Sequence, residues 1–191
     1  MNLVTDETLI EKVLAGECQA FEILIKKHQG VIYNYLYKIT LSKEDAEDIT
    51  QEVFIKAYNK LYTFERKANF STWLFKIAVN TLNDNFKKKK VFELEKEEAM
   101  MSIKCSERDI PEEALSLKEK KLEVLRLLEG LTLEQKNAII LKYVRGFSYK
   151  EIGKVLGVSE ESAKMKVYRA RKKLCNTRNS NTIEGSVLSE L

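Results

Sequence analysis

The sequence predicts an all-α chain built as two small helical domains joined by a linker. Three observations carry that reading. There is one proline and there are seven glycines in 191 residues. Apolar residues recur at intervals of three and four through most of the chain, and several segments begin with a Ser or Thr followed three residues later by Asp, Glu or Gln, the mark of a capped helix start. With 44% hydrophobic residues the chain can bury a core of ordinary size.

Taken in order, Leu9, Val13 and Leu14, then Phe21, Leu24 and Ile25, then Ile32, Tyr35, Leu36 and Ile39 fit two or three helices, with Gly16 and Gly30 as breaks. Ser42 with Asp45 opens a helix over about 43–62 that buries Ala46, Ile49, Val53 and Ala57. After the mixed loop YTFERKANF, Ser71 opens another that buries Leu74, Ile77, Ala78 and Thr81 and runs to the lysine cluster at 87–90. Residues 88–110 alternate blocks of charge without an apolar stripe, as a linker or a frayed solvated helix does. Pro111 restarts helix, and Leu115, Leu122, Leu125 and Leu128 mark one that stops near Gly130. Capping boxes follow at Thr132 with Gln135 and at Ser148 with Glu151; Gly157 makes a tight turn and Ser159 caps a last long helix. Two short helices across a glycine turn, the second basic, form a helix-turn-helix pattern.

Composition narrows the function. No apolar run approaches the ~20 residues needed to cross a bilayer, and the N-terminus lacks a basic start followed by an apolar stretch, so a cytoplasmic protein is expected. Cys18, Cys105 and Cys175 are far apart and His28 stands alone, which gives neither a disulfide framework nor metal-ligand spacing. No cofactor, metal, small-molecule ligand or catalytic residue is expected. A nuclease would have to use Asp45, Glu47 and Asp48, which lie on one helix without a histidine or a glycine-rich phosphate loop.

The net charge of +4 is unevenly spread: residues 1–86 carry 10 basic and 12 acidic groups, whereas 122–175 carry 12 and 6. The C-terminal block is therefore the polyanion binder on charge. In its last helix Ala163, Val167, Ala170 and Leu174 form the buried stripe; Ser162, Met165, Tyr168, Arg169 and Lys172 lie opposite, flanked by Lys164, Lys166, Arg171 and Lys173. Six cations and no acid within 164–173 suit phosphates and base edges in a major groove. A solvated basic helix end is the plainer alternative.

Two N-terminal surfaces stand out. On the helix from Lys43, Asp48, Gln51 and Glu52 surround Ile55, an apolar centre with a polar rim that suits a protein helix. A single exposed Ile is also ordinary. On the helix from Thr72, Trp73, Lys76, Asn80 and Lys87 share one side, next to loop residues Arg66, Lys67, Asn69 and Phe70. An aromatic plane beside amides and cations suits single-stranded nucleic acid, although Trp73 could equally be core.

Three blocks in this order, AFEILIKKHQGVIYNYLYKIT with EDAEDITQEVFIKAYNKL, NFSTWLFKIAVNTLNDNFKKKK, and LTLEQKNAIILKYVRGFSYKEIGKVLGVSEESAKMKVYRARKKL, resemble a bacterial RNA polymerase sigma factor of the extracytoplasmic-function group. The resemblance implies a region 2 domain over 1–90, a linker over 91–112, a region 4 helix-turn-helix domain over 113–175 and a tail over 176–191. It implies that Asp48, Gln51, Glu52 and Ile55, with Phe54 packing nearby, dock on the β′ clamp helices of core RNA polymerase, and that region 4 meets the β flap. It assigns the loop from Glu65 to Phe70, with Trp73, Lys76, Asn80 and Asn83, to the unwound minus-ten strand. Lys164, Met165, Lys166, Tyr168, Arg169 and Arg171 then fall to the minus-thirty-five duplex. An anti-sigma partner, commonly membrane-linked, belongs to the same expectation. The chain departs from the family in carrying lysines rather than arginines at 87–90, which bind phosphate as point charges without a planar fork. Met165, which cannot donate a hydrogen bond, would read bases by apolar contact. The competing reading is a stand-alone helix-turn-helix regulator whose N-terminal part is a sensor or dimerisation domain.

Overall fold

The computed structural model describes residues 5–65, 69–99 and 130–179, with side chains described for 5–65, 69–89 and 130–175. Among these residues there are helices and no strand: α1 (Asp6–Leu14), α2 (Gln19–Thr40), α3 (Lys43–Lys60) with a 3₁₀ turn at Leu61–Thr63, α4 (Phe70–Ala99), α5 (Leu133–Tyr143), α6 (Tyr149–Leu156) and α7 (Glu160–Asn179). The helix expected over Leu115–Leu128 lies outside the described residues.

Helices α1 to α4 enclose one core. Ala46, Ile49, Val53 and Ala57 of α3 and Leu74, Ala78 and Thr81 of α4 are buried as their spacing predicts, against Leu24, Ile32, Tyr35 and Leu36 of α2, whereas Ile77, expected among them, is half-buried. Each Leu, Ile or Val side chain removed from water here contributes about 1.5–3 kcal/mol. Asp6 fastens α1 across α2 through Lys27 Nζ at 2.7 Å and His28 Nε2 at 2.9 Å. Ser42 accepts from the Asp45 N–H, as its position before α3 predicts.

Three boundaries differ from the expectation. Gly30 does not break α2, which runs through it for 22 residues. The glycine penalty is about 1 kcal/mol, less than the apolar contacts made by Leu24 on one side and Ile32 on the other. Because nothing lies within 4 Å of where a Gly30 Cβ would sit, Gly30→Ala should stabilise the chain by about 0.5–1 kcal/mol, read as a higher urea midpoint. The cap of α4 is Asn69, not Ser71: Asn69 Oδ1 accepts from the Thr72 N–H at 3.0 Å and from the Thr72 hydroxyl at 2.5 Å. At its other end α4 passes the lysine cluster and ends at Ala99, since 87–99 holds mostly Lys, Glu, Leu and other non-breaking residues.

The C-terminal helices form the expected helix-turn-helix. Both capping boxes are present, at Thr132 with Gln135 and at Ser148 with Glu151. Glu151 carries its box through the Ser148 N–H and hydroxyl, which hold its carboxyl below the usual carboxylate range. Gly157 ends α6 at φ 68°, the left-handed conformation that glycine adopts without steric cost. Ser159 then accepts from the Ser162 N–H to start α7.

Candidate functional site

The recognition helix α7 buries Ala163, Val167, Ala170 and Leu174 against its neighbours, which fixes what it turns outward. Lys164, Arg169, Arg171 and Lys172 are exposed, with Met165 at 45% and Tyr168 at 57% exposure between them. An apolar centre in a cationic field is thus present on the outer face. Ser162 is half-buried. Lys166 is drawn away from that face into an ion pair with Glu134 of α5, so in this conformation its charge is spent within the domain rather than offered to a phosphate.

On α3, Ile55 is 62% exposed and Asp48 and Gln51 are exposed beside it. Phe54 is 6% exposed and packs beneath. Glu52 is already engaged: Lys56 Nζ lies 2.8 Å from one oxygen and Asn85 Nδ2 donates to the other at 2.9 Å. The Lys56 hydrogen bond and then that of Asn85 hold its carboxyl below the ordinary glutamate range. The structure adds residues that wheel reasoning on α3 missed. Phe21, Ile25 and Gln29 of α2 join Ile55, Phe54 and Tyr58 around an apolar groove of about 460 Å³. Their i, i+4 and i+8 spacing was the available signal; only the packing of α2 on α3 shows that they share a groove with Ile55.

The minus-ten candidates divide. Asn69, Lys76, Asn80 and Lys87 are exposed and Asn83 is half-buried. Arg66 and Lys67 lie outside the described residues. Phe70 is placed inside, 2% exposed, with His28 edge-on at 5.3 Å, Phe64 at 5.8 Å and Trp73 stacked at 5.6 Å. It supports the loop and presents no face to solvent. Trp73 meets both readings: it packs edge-on against Phe64 at 5.6 Å, yet is half-buried and opens on a cleft of about 600 Å³ with Phe64 and Lys76. Of the lysine cluster, Lys89 is clamped to Asp45 at 2.6 and 2.7 Å, on the first turn of α3, whereas Lys87 and Lys88 are exposed. Among the described residues no group of three His, Cys, Asp or Glu could hold a metal ion, and no helix is long and apolar enough to cross a membrane.

Most of the chain matches known proteins. The family model for Sigma-70 region 2 matches residues 24–91 and that for Sigma-70, region 4 matches residues 121–174. The ECF RNA polymerase sigma factor SigW of Bacillus subtilis (strain 168) is 31% identical over 172 residues, 86% of this chain and 92% of that protein. The ECF RNA polymerase sigma-E factor of Escherichia coli (strain K12) is 30% identical over 180 residues, 91% and 94% of the two chains. The solved structure of CnrH in complex with the cytosolic domain of CnrY shares the fold, with a TM-score of 0.70 at 22% identity over 93% of this chain and 99% of that one. That of the sigma factor RpoE in complex with the anti-sigma factor NepR from Bartonella quintana gives 0.65 at 24% identity, covering 85% and 98%.

The two helical units, matched to Sigma-70 region 2 and Sigma-70, region 4, define a member of the sigma-70 family, and the chain belongs to it. Within that family it is an extracytoplasmic-function RNA polymerase sigma factor, a non-enzymatic protein that binds RNA polymerase and directs transcription initiation.

Proposed function

We propose that three surfaces divide the work of initiation. The groove around Ile55, rimmed by Asp48, Gln51 and Glu52 and floored by Phe54, receives the β′ clamp helices of core polymerase. Asn69, Trp73, Lys76, Asn80, Asn83 and Lys87, with Arg66 and Lys67 of the loop, hold the unpaired minus-ten strand by stacking and by charge. Ser162, Lys164, Met165, Tyr168, Arg169, Arg171 and Lys172 enter the major groove of the minus-thirty-five element, and the rest of region 4 meets the β flap. Regions 2 and 4 occupy 1–90 and 113–175, residues 91–112 join them and 176–191 form a tail. An anti-sigma protein, membrane-linked in the simplest case, is the regulatory partner, and the protein works in the cytoplasm.

The observation that carries this reading is the exposed apolar-centred cationic face of α7 in the same chain as the exposed Ile55 groove. Tethering the two grips multiplies modest affinities into a stable complex. Run-off transcription with purified core polymerase tests it: promoter-specific product is expected only when both components are present. Sequence-specific binding without polymerase, as a dimer on two half-sites, would instead show a stand-alone regulator.

One side chain on α7 can be tested alone. Arg169→Ala should cost about 1–3 kcal/mol of minus-thirty-five binding and relax sequence preference there, measured by competition between matched and mismatched duplexes for the holoenzyme. Unchanged affinity and preference would remove Arg169 from the reading face.

A further inference from the structure

Two side chains outside the three surfaces tie the aromatic part of the strand-capture surface to α1. His28, the chain's one histidine, lies on α2 with its side chain 12% exposed, and its Nε2 is 2.9 Å from Asp6 Oδ2. A carboxylate only accepts, so Nε2 carries the proton and donates. Lys27 Nζ lies 2.7 Å from the other carboxylate oxygen. Asp6 cannot follow a moving imidazole, because it is the first residue of α1, which Leu9 and Ile10 seat in the core at 2% and 1% exposure. A bond to one ring nitrogen from so fixed a partner sets the rotation of the imidazole plane.

That plane bears on the site. His28 stands edge-on to Phe70 at 5.3 Å, with 69° between the planes. Phe70 in turn stacks on Trp73 at 5.6 Å and 30°, and Phe64 is edge-on to both, 5.8 Å from Phe70 and 5.6 Å from Trp73. Rings in mutual contact move together, because at interior packing density turning one drives its edge into the next. Phe70 is also the first residue of α4, directly after the Asn69 cap, so the imidazole acts at the start of the helix that carries Trp73, Lys76 and Asn80.

We propose that Asp6 and His28 are positioning residues for capture of the unpaired minus-ten strand. The Asp6 carboxylate anchors the imidazole, the imidazole holds Phe70, and Phe70 with Phe64 holds the Trp73 plane at the angle on which a base stacks. The inference rests on the minus-ten assignment made above and adds to it two residues that act through others. An apolar pair in these places would fill the same volume and leave the ring's rotation to packing alone, whereas the hydrogen bond adds a direction. Stacking needs that direction, since aromatic pairs favour particular offset and edge geometries over mere proximity.

Trp73 is the chain's single tryptophan, so its emission reads the ring cluster in the full chain without a label. Asp6→Ala removes the anchor, His28→Phe keeps a ring without the Nε2 donor, and Asp6→Asn keeps an acceptor while discarding the charge. Asp6→Ala and His28→Phe should each shift Trp73 emission in the free chain. In holoenzyme they should lower strand opening roughly three- to tenfold, read as permanganate oxidation of unpaired thymines on a promoter fragment that gives run-off product. Asp6→Asn should match the wild type in both readouts, and affinity for core polymerase should stay unchanged in all three variants. His28→Phe keeps the test decisive if Asp6→Ala loses helix by circular dichroism. Wild-type opening in His28→Phe would overturn the proposal, as would a matching loss of core affinity. An equal loss in Asp6→Ala and Asp6→Asn would also overturn it, because Asp6 would then act through its charge rather than as an anchor. Normal opening by Trp73→Ala would instead overturn the minus-ten assignment, and Trp73 emission from the wild-type and Asp6→Ala chains would still report whether the anchor holds the rings.

Discussion

Ile55→Asp is expected to lower affinity for core RNA polymerase by at least a hundredfold, about 2.7 kcal/mol, while region 2 stays folded. Ile55 is 62% exposed on α3, and substitutions at such positions usually change stability by less than about 0.5 kcal/mol. The same side chain lines an apolar groove with Phe21, Ile25 and Phe54, the surface proposed to receive the polymerase. A carboxylate there must either lose its water without a partner or hold the two proteins apart, and either outcome costs several kcal/mol. Ile55→Leu should bind nearly as well as the wild type. Fluorescence anisotropy against core polymerase reads both; a loss below tenfold for the aspartate variant would move the docking centre elsewhere.

Gly153→Val should destabilise region 4 by about 3 kcal/mol or more and abolish minus-thirty-five binding with it. Gly153 is buried in α6, and a Cβ built on it meets the Val158 carbonyl oxygen at 2.8 Å, with Ser159 C at 3.4 Å and Glu160 N at 3.5 Å behind. Those are backbone atoms of the turn that launches α7, and the Val158 N–H bonds back to the Gly153 carbonyl at 2.9 Å. A branched side chain has no flexible neighbour to push aside, so it must open the helix-turn-helix. Urea unfolding followed by circular dichroism measures the loss; a midpoint within error of the wild type would contradict the close approach.

What was legible in the sequence was local. Ser42, Thr132, Ser148 and Ser159 each announce a helix start because a cap is read from residues three apart, and all four serve as caps. The stripe Ala163, Val167, Ala170 and Leu174 was readable for the same reason: one helix wheel holds all the information. Apart from the cap of α4, where two neighbouring residues compete locally, misreadings came where distant packing outweighed local preference. Gly30 is a fair break by propensity, but the contacts of α2 on either side carry the helix through it. Ser71 is a fair cap by type, but Asn69 takes the Thr72 N–H and starts α4 earlier. Phe70 sits beside the strand-capture candidates in sequence, yet His28 and Phe64 claim its ring. Lys166 belongs to the cationic run by spacing, and only the position of Glu134 on α5 reveals that it is engaged. The hydrogen bond from the Tyr35 hydroxyl of α2 to Asn137 Oδ1 of α5 has no local signature at all, because neither residue's surroundings refer to the other.

Helix α4 runs on to Ala99, and among the residues whose side chains are described Leu82 is its last buried apolar one. At 1.5 Å per residue that overhang is about 25 Å long, and its root is gripped where Asn85 meets Glu52 and Lys89 meets Asp45. It behaves as an oar in a rowlock: a tilt of five degrees at those two grips swings the blade by about 2 Å. Loosening Asp45 or Glu52 would therefore redirect where the chain departs from region 2 through side chains that are not themselves part of the buried apolar core.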